Sequence, residues 1–408
     1  MDLTYLNHLD GSMKERLNNR IRKLNRDIRT KGIKECKISP YMSADMLTGY
    51  SYGEFYDWDL YFENIYLSYY GFSKYCRINT EAFLNQQLEC GFVARTMVQP
   101  RWRQHFKPFL AQICVVGARQ TGDWRWIRGK YYERLCRYLD YWFWFSDYDR
   151  NGLCVWDSAD HSGMDNQISR AGEIFSQTVE GVDLNCYLYR ELRAMALISG
   201  KLGLQEKVEQ FDSMAENLKK RINDLLWDDK DAFYYDRHER EGRLIKMRSA
   251  SSFAALWCGI PSQEQAAGMI EKHLLNPEEF WLEYPIASWA KNEQGYYQQR
   301  IEGECNWMGP CWIPINYMVM HGLVRYGYQE AAKELADKSF HMVLAEEETR
   351  EYYDAETGVG QGLNPFWGWS SLAYFMPFEL ENSYDPTQIT DAPMRPLGRD
   401  IFGLEFIG

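Results

Sequence analysis

The sequence lacks the common signatures of a membrane protein or a nucleic-acid-binding protein. No run approaches the roughly 18 apolar residues that a membrane helix needs, and the longest candidate, residues 311–320, is too short and too polar. Acidic residues outnumber basic ones, 58 to 46, and no basic stripe marks a phosphate-binding surface. Residues 1–16 contain no apolar core of a signal peptide. We therefore expect a cytoplasmic protein with neither a membrane nor a nucleic-acid partner.

Disulfide and zinc motifs are absent too. The ten cysteines are scattered singly without a CxxC pair, and the seven histidines form no HExxH or HxH pattern. We therefore expect reduced, mostly buried thiols and no required cofactor. Asp147, Asp149 and Asn151 precede a glycine and resemble the start of a calcium loop, but Ser158 replaces the glutamate that an EF-hand requires. An Asp/Asn/Gly turn and a structural calcium ion completed by distant residues both stay open.

No Pro-, Gly- or Ser-rich linker, low-complexity tract or charge block divides the 408 residues. We therefore predict a single domain over residues 1–408. Its first part, about residues 1–45, is predicted to be a helical lead-in. Its last part, about residues 382–408, loses helical periodicity and is predicted to be irregular. The oligomeric state is not predicted.

Helical periodicity covers most of the chain between these parts. After Gln205, apolar residues recur every three or four positions, at Val208, Phe211, Met214, Leu218, Ile222 and Leu225. Residues 315–347 predict an antiparallel helix pair joined at Gly327. Twelve helices of about 33 residues each, loops included, would use about 400 residues. This predicts an all-α fold, an (α/α)6 barrel. An open α-solenoid is the alternative, although no clean repeat of 20–50 residues supports it.

Strand-like pieces are short and lie in the predicted loops. One hairpin is predicted over Ala232–Ile245 and a counterpart over Glu351–Gly358. The two share Tyr-Tyr-Asp and a closing glycine, which indicates that these residues serve the turn in both. The first copy begins with Phe233 and the second with Glu351. A glutamate is therefore not required by the local structure, which makes Glu351 a candidate general base.

Aromatic residues are abundant, at 16% of the chain. Many lie beside acids in segments without periodicity, and flat apolar faces next to carboxylates suit a sugar, which has apolar CH faces and a hydroxyl rim. In "YDWDLYF" (56–62), Asp57 and Asp59 flank Trp58, although a helix N-cap would explain the acids equally well. In "CNWMGPCW" (305–312), Trp307 and Trp312 flank a turn that either only starts a helix or lines a pocket.

A third acidic segment, "VWDSADHSGMDNQISR", covers residues 155–170 and contains Asp157, Asp160 and Asp165. A general acid needs a carboxyl group whose pKa is raised by apolar burial or by a nearby negative charge. Tryptophan, methionine and the neighbouring aspartates could supply both influences. Spacing alone leaves the choice among the three aspartates open.

Taken in order, these segments resemble those of the inverting α-glycosidases with an (α/α)6 barrel, namely glycoside hydrolase family 63 and the related family 37 trehalases. The nearest likeness is to the mannosylglycerate/glucosylglycerate hydrolase-like branch of family 63. It rests on "DWDLYF", "VQP", "SGMDN", "GVDLN", "NWMGPCWIPINY", "EYYDAETG" and "PFWGWSS", between about Tyr52 and Tyr374. The resemblance implies that Asp165 is the general acid and Glu351 the general base. It further implies a sugar subsite formed by Trp58, Asp59, Gln99, Asn166, Trp307, Gln361 and Trp369.

Three residues depart from the pattern of these relatives. His161 stands where they usually have glutamate, Met308 replaces the arginine of Trp-Arg-Gly-Pro, and Arg101 replaces a second proline after Gln99. Because arginine often binds carboxylates bidentately, its loss puts a charged aglycone such as glycerate in doubt or moves that task elsewhere.

The function predicted from these residues is that of an exo-acting, inverting α-glycosidase acting on a small α-glucoside or α-mannoside. Its two carboxyl groups are expected to lie about 6.5–9.5 Å apart, with room for water between them. A non-catalytic carbohydrate-binding relative is one alternative. An (α/α)6 sugar epimerase or isomerase is another, although His161 is the only histidine in a candidate loop. The sugar, the aglycone and the linkage are not predicted.

Overall fold

The protein is built from two concentric rings of helices, as shown by a computed structural model that describes residues 2–170, 179–300 and 305–403. Its α-helices are α1 (Tyr5–His8), α2 (Gly11–Asp27), α3 (Asp57–Tyr69), α4 (Ser73–Asn85), α5 (Leu110–Thr121), α6 (Lys130–Phe145), α7 (Ala159–Ser162), α8 (Val182–Lys201), α9 (Gln205–Leu226), α10 (Ala254–Cys258), α11 (Gln263–Met269), α12 (Ile313–Arg325), α13 (Gln329–Ala345), α14 (Met376–Glu381) and α15 (Leu397–Phe402). There are further 3-10 turns at Cys36–Ile38, Arg125–Ile127, Ala250–Phe253 and Ser370–Tyr374, and π-helical turns at Ile28–Gly32 and Ile270–Leu274.

The inner ring consists of α3, α5, α8, α10, α12 and the Ser370–Tyr374 turn that leads into α14. Each of these contacts the next in that order, and the Ser370–Tyr374 turn contacts α3, which closes the ring. All residues of α3 are buried, because an inner helix is surrounded by other helices on every side. The predicted (α/α)6 barrel is confirmed.

The outer ring follows the inner one along the chain. Helix α9 packs on α8, α13 on α12, and α4 on both α3 and α5. Helix α9 buries Phe211, Leu218 and Ile222 on one face, as its apolar periodicity predicts. The antiparallel pair α12 and α13 also forms as predicted, with Gly327 in the turn between them.

The inner helices α3, α8 and α12 run in the same direction. Their first residues, Asp57, Val182 and Ile313, lie at one end of the barrel, which we call the front mouth. Their last residues, Tyr69, Lys201 and Arg325, lie at the other end, the rear mouth. Within the described part of the chain, no helix is both long enough and apolar enough to cross a membrane.

The short strands form four antiparallel pairs: β1 (Ile33–Lys34) with β2 (Met46–Leu47), β3 (Val179–Glu180) with β6 (Arg237–His238), β4 (Trp227–Asp228) with β5 (Phe233–Tyr234), and β7 (Tyr352–Tyr353) with β8 (Gly360–Gln361). The hairpin predicted after Glu351 forms, but its second strand, β8, lies just beyond the predicted end at Gly358. The hairpin predicted over Ala232–Ile245 forms in part: an antiparallel bridge joins Arg237 to Leu244, and the N–H of Ile245 donates to the carbonyl of Asp236 at 2.7 Å. The preceding strand β5 pairs instead with β4, and β6 also pairs with β3. Between them, Asp236 accepts bonds from Arg170 and from the backbone N–H of Val182, which draws the chain toward the start of α8.

The C-terminal segment after α14 lies across the rear mouth, and its residues 404–408 fall outside the described ranges. The irregular structure predicted for about residues 382–408 is interrupted by the short helix α15. Arg119 of α5 donates to three of its carbonyl groups, those of Pro386, Gln388 and Ala392. Arg190 of α8 donates to the carbonyl of Thr387, and Trp257 of α10 donates to its hydroxyl at 2.9 Å. These bonds satisfy backbone carbonyls that the absence of regular structure would leave unpaired.

Candidate active site

Four tryptophans form an aromatic floor at the front mouth. Trp58, the second residue of α3, has its ring centroid 5.7 Å from that of Trp307 and 5.8 Å from that of Trp369. Trp307 stacks on Trp312 at 3.7 Å, with the planes 7° apart. The three tryptophans predicted for one subsite are therefore brought together. The indole Nε1 of Trp307 is buried without a hydrogen-bond partner among the described residues, so a donor is available on this floor.

Asp165 lies beside this floor in the loop after α7. Gly163, with φ of 83°, turns the chain at the end of α7, where an added Cβ would lie 3.1 Å from Cε of Lys107 and 3.3 Å from Cε2 of Trp58. This tight packing fixes the start of the loop. Oδ1 of Asp165 is buried and has no hydrogen-bond partner in the part of the chain that the structure describes.

The electrostatic surroundings of Asp165 favour its protonated form. Burial raises its pKa to about 6, against the opposing effect of Arg95 and Lys107, and the charges of Asp160 and Glu351 raise it further. Asp165 therefore keeps its proton up to about pH 6, well above the range of an ordinary aspartate.

Asn166 links the Asp165 loop to the aromatic floor. Its Oδ1 accepts the backbone N–H of Trp307 at 2.8 Å, and its Nδ2 donates to the hydroxyl of Tyr297 at 2.8 Å. Asn166 therefore holds Trp307 in place beside Asp165. The structure places both atoms of its amide in protein contacts.

Glu351 directly precedes β7 and is held at both carboxylate oxygens. Oε2 accepts the backbone N–H of Leu363 at 2.9 Å, and Oε1 accepts the thiol of Cys305 at 3.5 Å. The indole of Trp369 donates to the Glu351 carbonyl at 2.9 Å, so this tryptophan also orients the backbone of Glu351. Burial raises the pKa of Glu351, while the Leu363 and Cys305 bonds oppose the rise.

The loop after β8 approaches Glu351 so closely that only glycine fits at position 362. Gly362 has φ of 70°, and an added Cβ would lie 2.6 Å from Oε2 of Glu351 and 2.7 Å from the ring of Tyr352. The Gly362 backbone therefore forms one wall around the carboxylate.

The two acids of the α3 segment have different roles. Asp57 is in the first turn of α3 and accepts the N–H of Lys107 at 3.0 Å and its Nζ at 2.9 Å. Asp59 accepts the hydroxyl of Tyr50 at 3.2 Å, and burial together with the Asp57 charge raises its pKa to about 7. The N-cap of α3 is Tyr56, so the capping explanation describes neither acid. Asp57 is committed to Lys107, which leaves Asp59 for the site.

Cys305 marks the point at which the three carboxyl groups converge. After burial, the charges of Glu351, Asp165 and Asp59 all contribute to raising the pKa of its thiol. The charge of Glu351 also raises the pKa of Asp59 and that of Asp165. Sequence reasoning missed Cys305, and its only signal was its place next to Asn306 and Trp307.

Gln361 and Gln99 are placed differently. Nε2 of Gln361 donates to the carbonyl of Gln298 at 3.0 Å, and its Oε1 is buried without a partner among the described residues.

Gln99 is exposed, and its N–H donates to Oε2 of Glu54 at 2.9 Å. Oε1 of Glu54 also accepts the N–H groups of Met97 and Val98. Glu54, which sequence reasoning missed, therefore holds the loop that carries Gln99.

The rival aspartates of the Asp165 segment make other contacts. Asp160 binds Arg95, Arg101 and Gln104, so Arg101, one of the three departures, pairs with an acid of this segment. Asp157 accepts the hydroxyl of Tyr148 at 2.8 Å on the surface. Neither leaves a buried carboxylate oxygen unpaired in the described structure.

The other two departures, His161 and Met308, lie in the protein interior. His161 stacks on Trp142, and its Nε2 lies 2.9 Å from the carbonyl of His105. Met308 is buried against Gly295, whose added Cβ would meet its Cε at 2.8 Å. Both side chains therefore pack against neighbouring residues in the protein interior.

The turn with calcium-loop character is held by protein contacts. Asn151 donates to Asp149 at 2.9 Å and to Glu180 at 2.6 Å. Arg237 pairs with both acids, so a positive charge is already supplied there. No group of three or more His, Cys, Asp or Glu residues suited to a metal ion occurs among the described residues. A calcium ion at Asp147, Asp149 and Asn151 stays an untested alternative.

Comparison with known proteins identifies relatives across most of this chain. The family model for the mannosylglycerate hydrolase MGH1-like glycoside hydrolase domain matches residues 52–370. The mannosylglycerate hydrolase of Rubrobacter radiotolerans is 32% identical over 191 residues, 46% of this chain and 41% of that protein. The cytosolic neutral trehalase of Kluyveromyces lactis is 33% identical over 165 residues, 38% of this chain and 21% of that protein. The chain therefore matches less than half the length of each.

Solved structures show the same fold. The GH63 mannosylglycerate hydrolase from Thermus thermophilus in complex with glucose superposes with a TM-score of 0.71 at 20% identity, covering 87% of this chain and 99% of that one. The neutral trehalase from Saccharomyces cerevisiae gives a TM-score of 0.63 at 18% identity, covering 88% and 79%. At these identities the likeness establishes the fold alone.

Proposed function

Because the chain belongs to the family of mannosylglycerate hydrolase MGH1-like glycoside hydrolase domains, we propose that it is an exo-acting, inverting α-glycosidase that hydrolyses a small α-glucoside or α-mannoside. One observation carries the proposal. Asp165, with a raised pKa and an unpaired buried oxygen, shares the front mouth with Glu351, which is held by backbone and thiol donors. Two carboxyl groups in different environments are what acid–base glycoside hydrolysis requires.

Asp165 is the proposed general acid. Protonated Asp165 gives its proton to the glycosidic oxygen as the bond to the anomeric carbon breaks. Its free Oδ1 is available to that oxygen, since no described residue binds it. The nearby Arg95 and Lys107 stabilise the carboxylate that remains after proton transfer.

Glu351 is the proposed general base. Ionised Glu351 takes a proton from a water molecule that attacks the anomeric carbon from the face opposite the leaving group. Attack on that face converts an α-glycoside into a β-sugar. The bonds from Leu363 and Cys305 fix the direction of the carboxylate before substrate arrives, which lowers the cost of orientation.

The sugar subsite is proposed to lie on the aromatic floor. Trp58, Trp307 and Trp369 supply apolar surface, and Nε1 of Trp307 and Oε1 of Gln361 are buried polar atoms without described partners that suit sugar hydroxyl groups. Asp59 is placed to accept hydroxyl donors, Asn166 positions Trp307, and Gln99 lies at the rim. This chemistry needs no cofactor.

The contacts of the buried histidines bear on the alternative of an (α/α)6 sugar epimerase or isomerase. A histidine-dependent isomerase is disfavoured because the imidazoles of His105 and His161 lie against backbone carbonyls in the packed interior.

A cytoplasmic location is inferred from ten unpaired cysteines, which suit a reducing compartment. Both a cytosolic and a periplasmic trehalase occur among the relatives.

The proposal is tested by incubating the protein with a panel of α-glycosides and following the products by NMR. The panel contains trehalose, nigerose, kojibiose, glucosylglycerate and mannosylglycerate. We expect one or more to be cleaved and the β-anomer to appear first. Initial release of the α-anomer would contradict inversion, and binding without cleavage would favour the non-catalytic carbohydrate-binding alternative.

The pH dependence of kcat/KM is expected to be a bell whose alkaline limb lies near pH 6. The general acid works only while protonated, so activity falls as pH rises through the Asp165 pKa of about 6. The base works only while ionised, so activity falls as pH drops through the raised pKa of Glu351. The sequence suggests one raised and one ordinary carboxyl pKa, with an optimum near pH 5–7. Burial in the structure raises the pKa of both carboxyl groups, so the pH range between the two limbs of the profile is narrower.

Asp160→Asn should move the alkaline limb to lower pH by roughly half a unit, because it removes one partly screened negative charge that raises the pKa of Asp165. Asp224→Asn, an exposed change on α9, is the control and should leave the profile unchanged. An alkaline limb that stays in place or moves upward in Asp160→Asn would contradict the assignment of that limb to Asp165.

Gly362→Ala is expected to lower kcat about 100-fold, because the added methyl group displaces the Glu351 carboxylate. Gly203→Ala is a matched control: Gly203 also has positive φ, 77°, but its added Cβ meets nothing within 4 Å. The control should lose about 1 kcal/mol in the free energy of unfolding and keep its kcat. Kinetics and urea denaturation separate the two effects. Equal kcat in both variants would show that Gly362 does not shape the site.

A further inference from the structure

A cavity of about 590 Å³ opens at the rear mouth. It lies between α8, α12, the start of α13 and the segment that follows α14. Helix α12 has 13 residues and is therefore about 20 Å long. Trp312, next to its first residue, belongs to the aromatic floor, whereas Arg325, its last residue, lines the cavity. The inner helices thus separate this cavity from Asp165 and Glu351.

The outer wall of the cavity is firmly attached to the barrel. Residues 383–390 form this wall. Arg119 and Arg190 donate to their backbone carbonyls, and Trp257 donates to the hydroxyl of Thr387. Lys201 at the end of α8 also pairs with Asp391 just beyond it. A cavity with a fixed wall is a preformed site, which spares a ligand the cost of ordering it.

The two carboxylates of the cavity are already bound by protein donors. Glu379 accepts the hydroxyl of Tyr317 at 2.9 Å, Nε2 of His321 at 3.1 Å and the hydroxyl of Tyr69. Nδ1 of His321 lies 3.5 Å from Asp385. The imidazole therefore lies between both acids and offsets their charge, so they do not dominate the field inside the cavity.

Four cationic side chains line the same cavity: Arg190, Arg193, Arg325 and Lys333. Among the residues that line the cavity, the cations outnumber the two bound carboxylates, although the net charge of the whole chain is −12. The exposed side chain of Arg325 makes no hydrogen bond or ion pair with any residue in the described ranges. Arg193 pairs with the half-buried Asp212 and Lys333 with the exposed Glu330, and water partly screens both attractions.

Uncommitted polar groups accompany these cations. The side chains of Gln329, Ser383 and Gln388 line the cavity and make no hydrogen bond within the described structure. Arginine forms strong, directional bonds with phosphate, and amide and hydroxyl groups suit the hydroxyls of a polyol. We infer that the rear cavity binds a small phosphate-bearing molecule, with Arg325 as the principal phosphate ligand.

The test measures binding directly and so does not depend on hydrolysis. Isothermal titration calorimetry of the whole chain would use inorganic phosphate, glucose 6-phosphate and, as a neutral comparison, glucose. We expect both phosphates to bind, and Arg325→Ala to weaken them roughly 10-fold or more. Arg325→Lys should keep part of the affinity. Arg22→Ala, which removes an exposed arginine of α2, is the matched control and should leave both affinities unchanged.

The outcomes distinguish free phosphate from a phosphorylated sugar as the ligand. They also distinguish binding in the rear cavity from binding at the front mouth. Tighter binding of glucose 6-phosphate than of inorganic phosphate identifies a phosphorylated sugar, and equal binding identifies free phosphate. Absence of phosphate binding overturns the inference, as does equal affinity in wild type and Arg325→Ala. Glucose 6-phosphate that is displaced by glucose and insensitive to Arg325→Ala would bind at the front mouth, which also overturns it.

Discussion

Asp165→Asn is expected to reduce kcat for α-glycosides with sugar or glycerate leaving groups by about 10²–10⁴-fold, the usual contribution of a general acid. The asparagine has the same shape but cannot give a proton to the leaving oxygen. An α-glycosyl fluoride needs little protonation of its leaving group, so its hydrolysis should be nearly unchanged. Steady-state kinetics on both substrate types measure this difference, which loss of folding cannot imitate.

Asp157→Asn is the matched control, because Asp157 lies in the same segment and binds Tyr148 at the surface. It should leave both substrates unaffected. Equal losses on the glycoside and the fluoride in Asp165→Asn would indicate that Asp165 binds the sugar rather than protonating it. Unchanged hydrolysis of the glycoside would mean that another group is the acid.

Glu351→Gln is expected to reduce hydrolysis of both the glycoside and the fluoride by roughly 10³-fold or more, because water must be deprotonated whichever group leaves. Glutamine can still accept the N–H of Leu363, so the site should keep its shape. Glu347→Gln, an exposed change nearby, is the control and should keep full activity. Retained hydrolysis of the fluoride in Glu351→Gln would contradict the assignment of the base.

Azide provides a second measurement on the same residue. In Glu351→Ala, azide is a nucleophile that needs no base, and it should restore cleavage of the α-glycosyl fluoride. Attack on the face opposite fluoride forms the carbon–nitrogen bond as fluoride leaves, and it yields the β-glycosyl azide. An α-glycosyl azide would instead indicate that the protein retains configuration.

The fold could be predicted where one face of a helix is buried and the opposite face is exposed to solvent. Helix α9 shows this pattern and was predicted, and the α12–α13 pair followed from its apolar spacing and from Gly327. The Ala232–Ile245 hairpin was predicted only in part: residues 236–245 pair with each other, but Phe233–Tyr234 pairs with β4. The side chain of Asp236 binds Arg170, 66 positions away. Local pattern cannot show a partner that only the closed barrel brings near.

The same limit applies to the candidate site. Asp165, Glu351 and the tryptophans occur in recognisable segments, and the structure gathers them at one mouth. The role of Cys305 could not be predicted, because a thiol that is hydrogen-bonded to a carboxylate 46 positions away has no local pattern. Asn166 and Trp369 were predicted to line the sugar subsite, and the structure adds that they position Trp307 and Glu351. Such positioning depends on long-range contacts.

The carboxylate of Glu54 has a consequence for protein engineering. It accepts hydrogen bonds from the backbone N–H groups of residues 97–99, which lie more than 40 positions further along the chain. A loop around Gln99 transplanted from a relative to change substrate preference would keep its shape only if position 54 came with it. Libraries that vary residues 97–101 should therefore hold Glu54 constant or vary it jointly, since the two segments form one exchangeable unit.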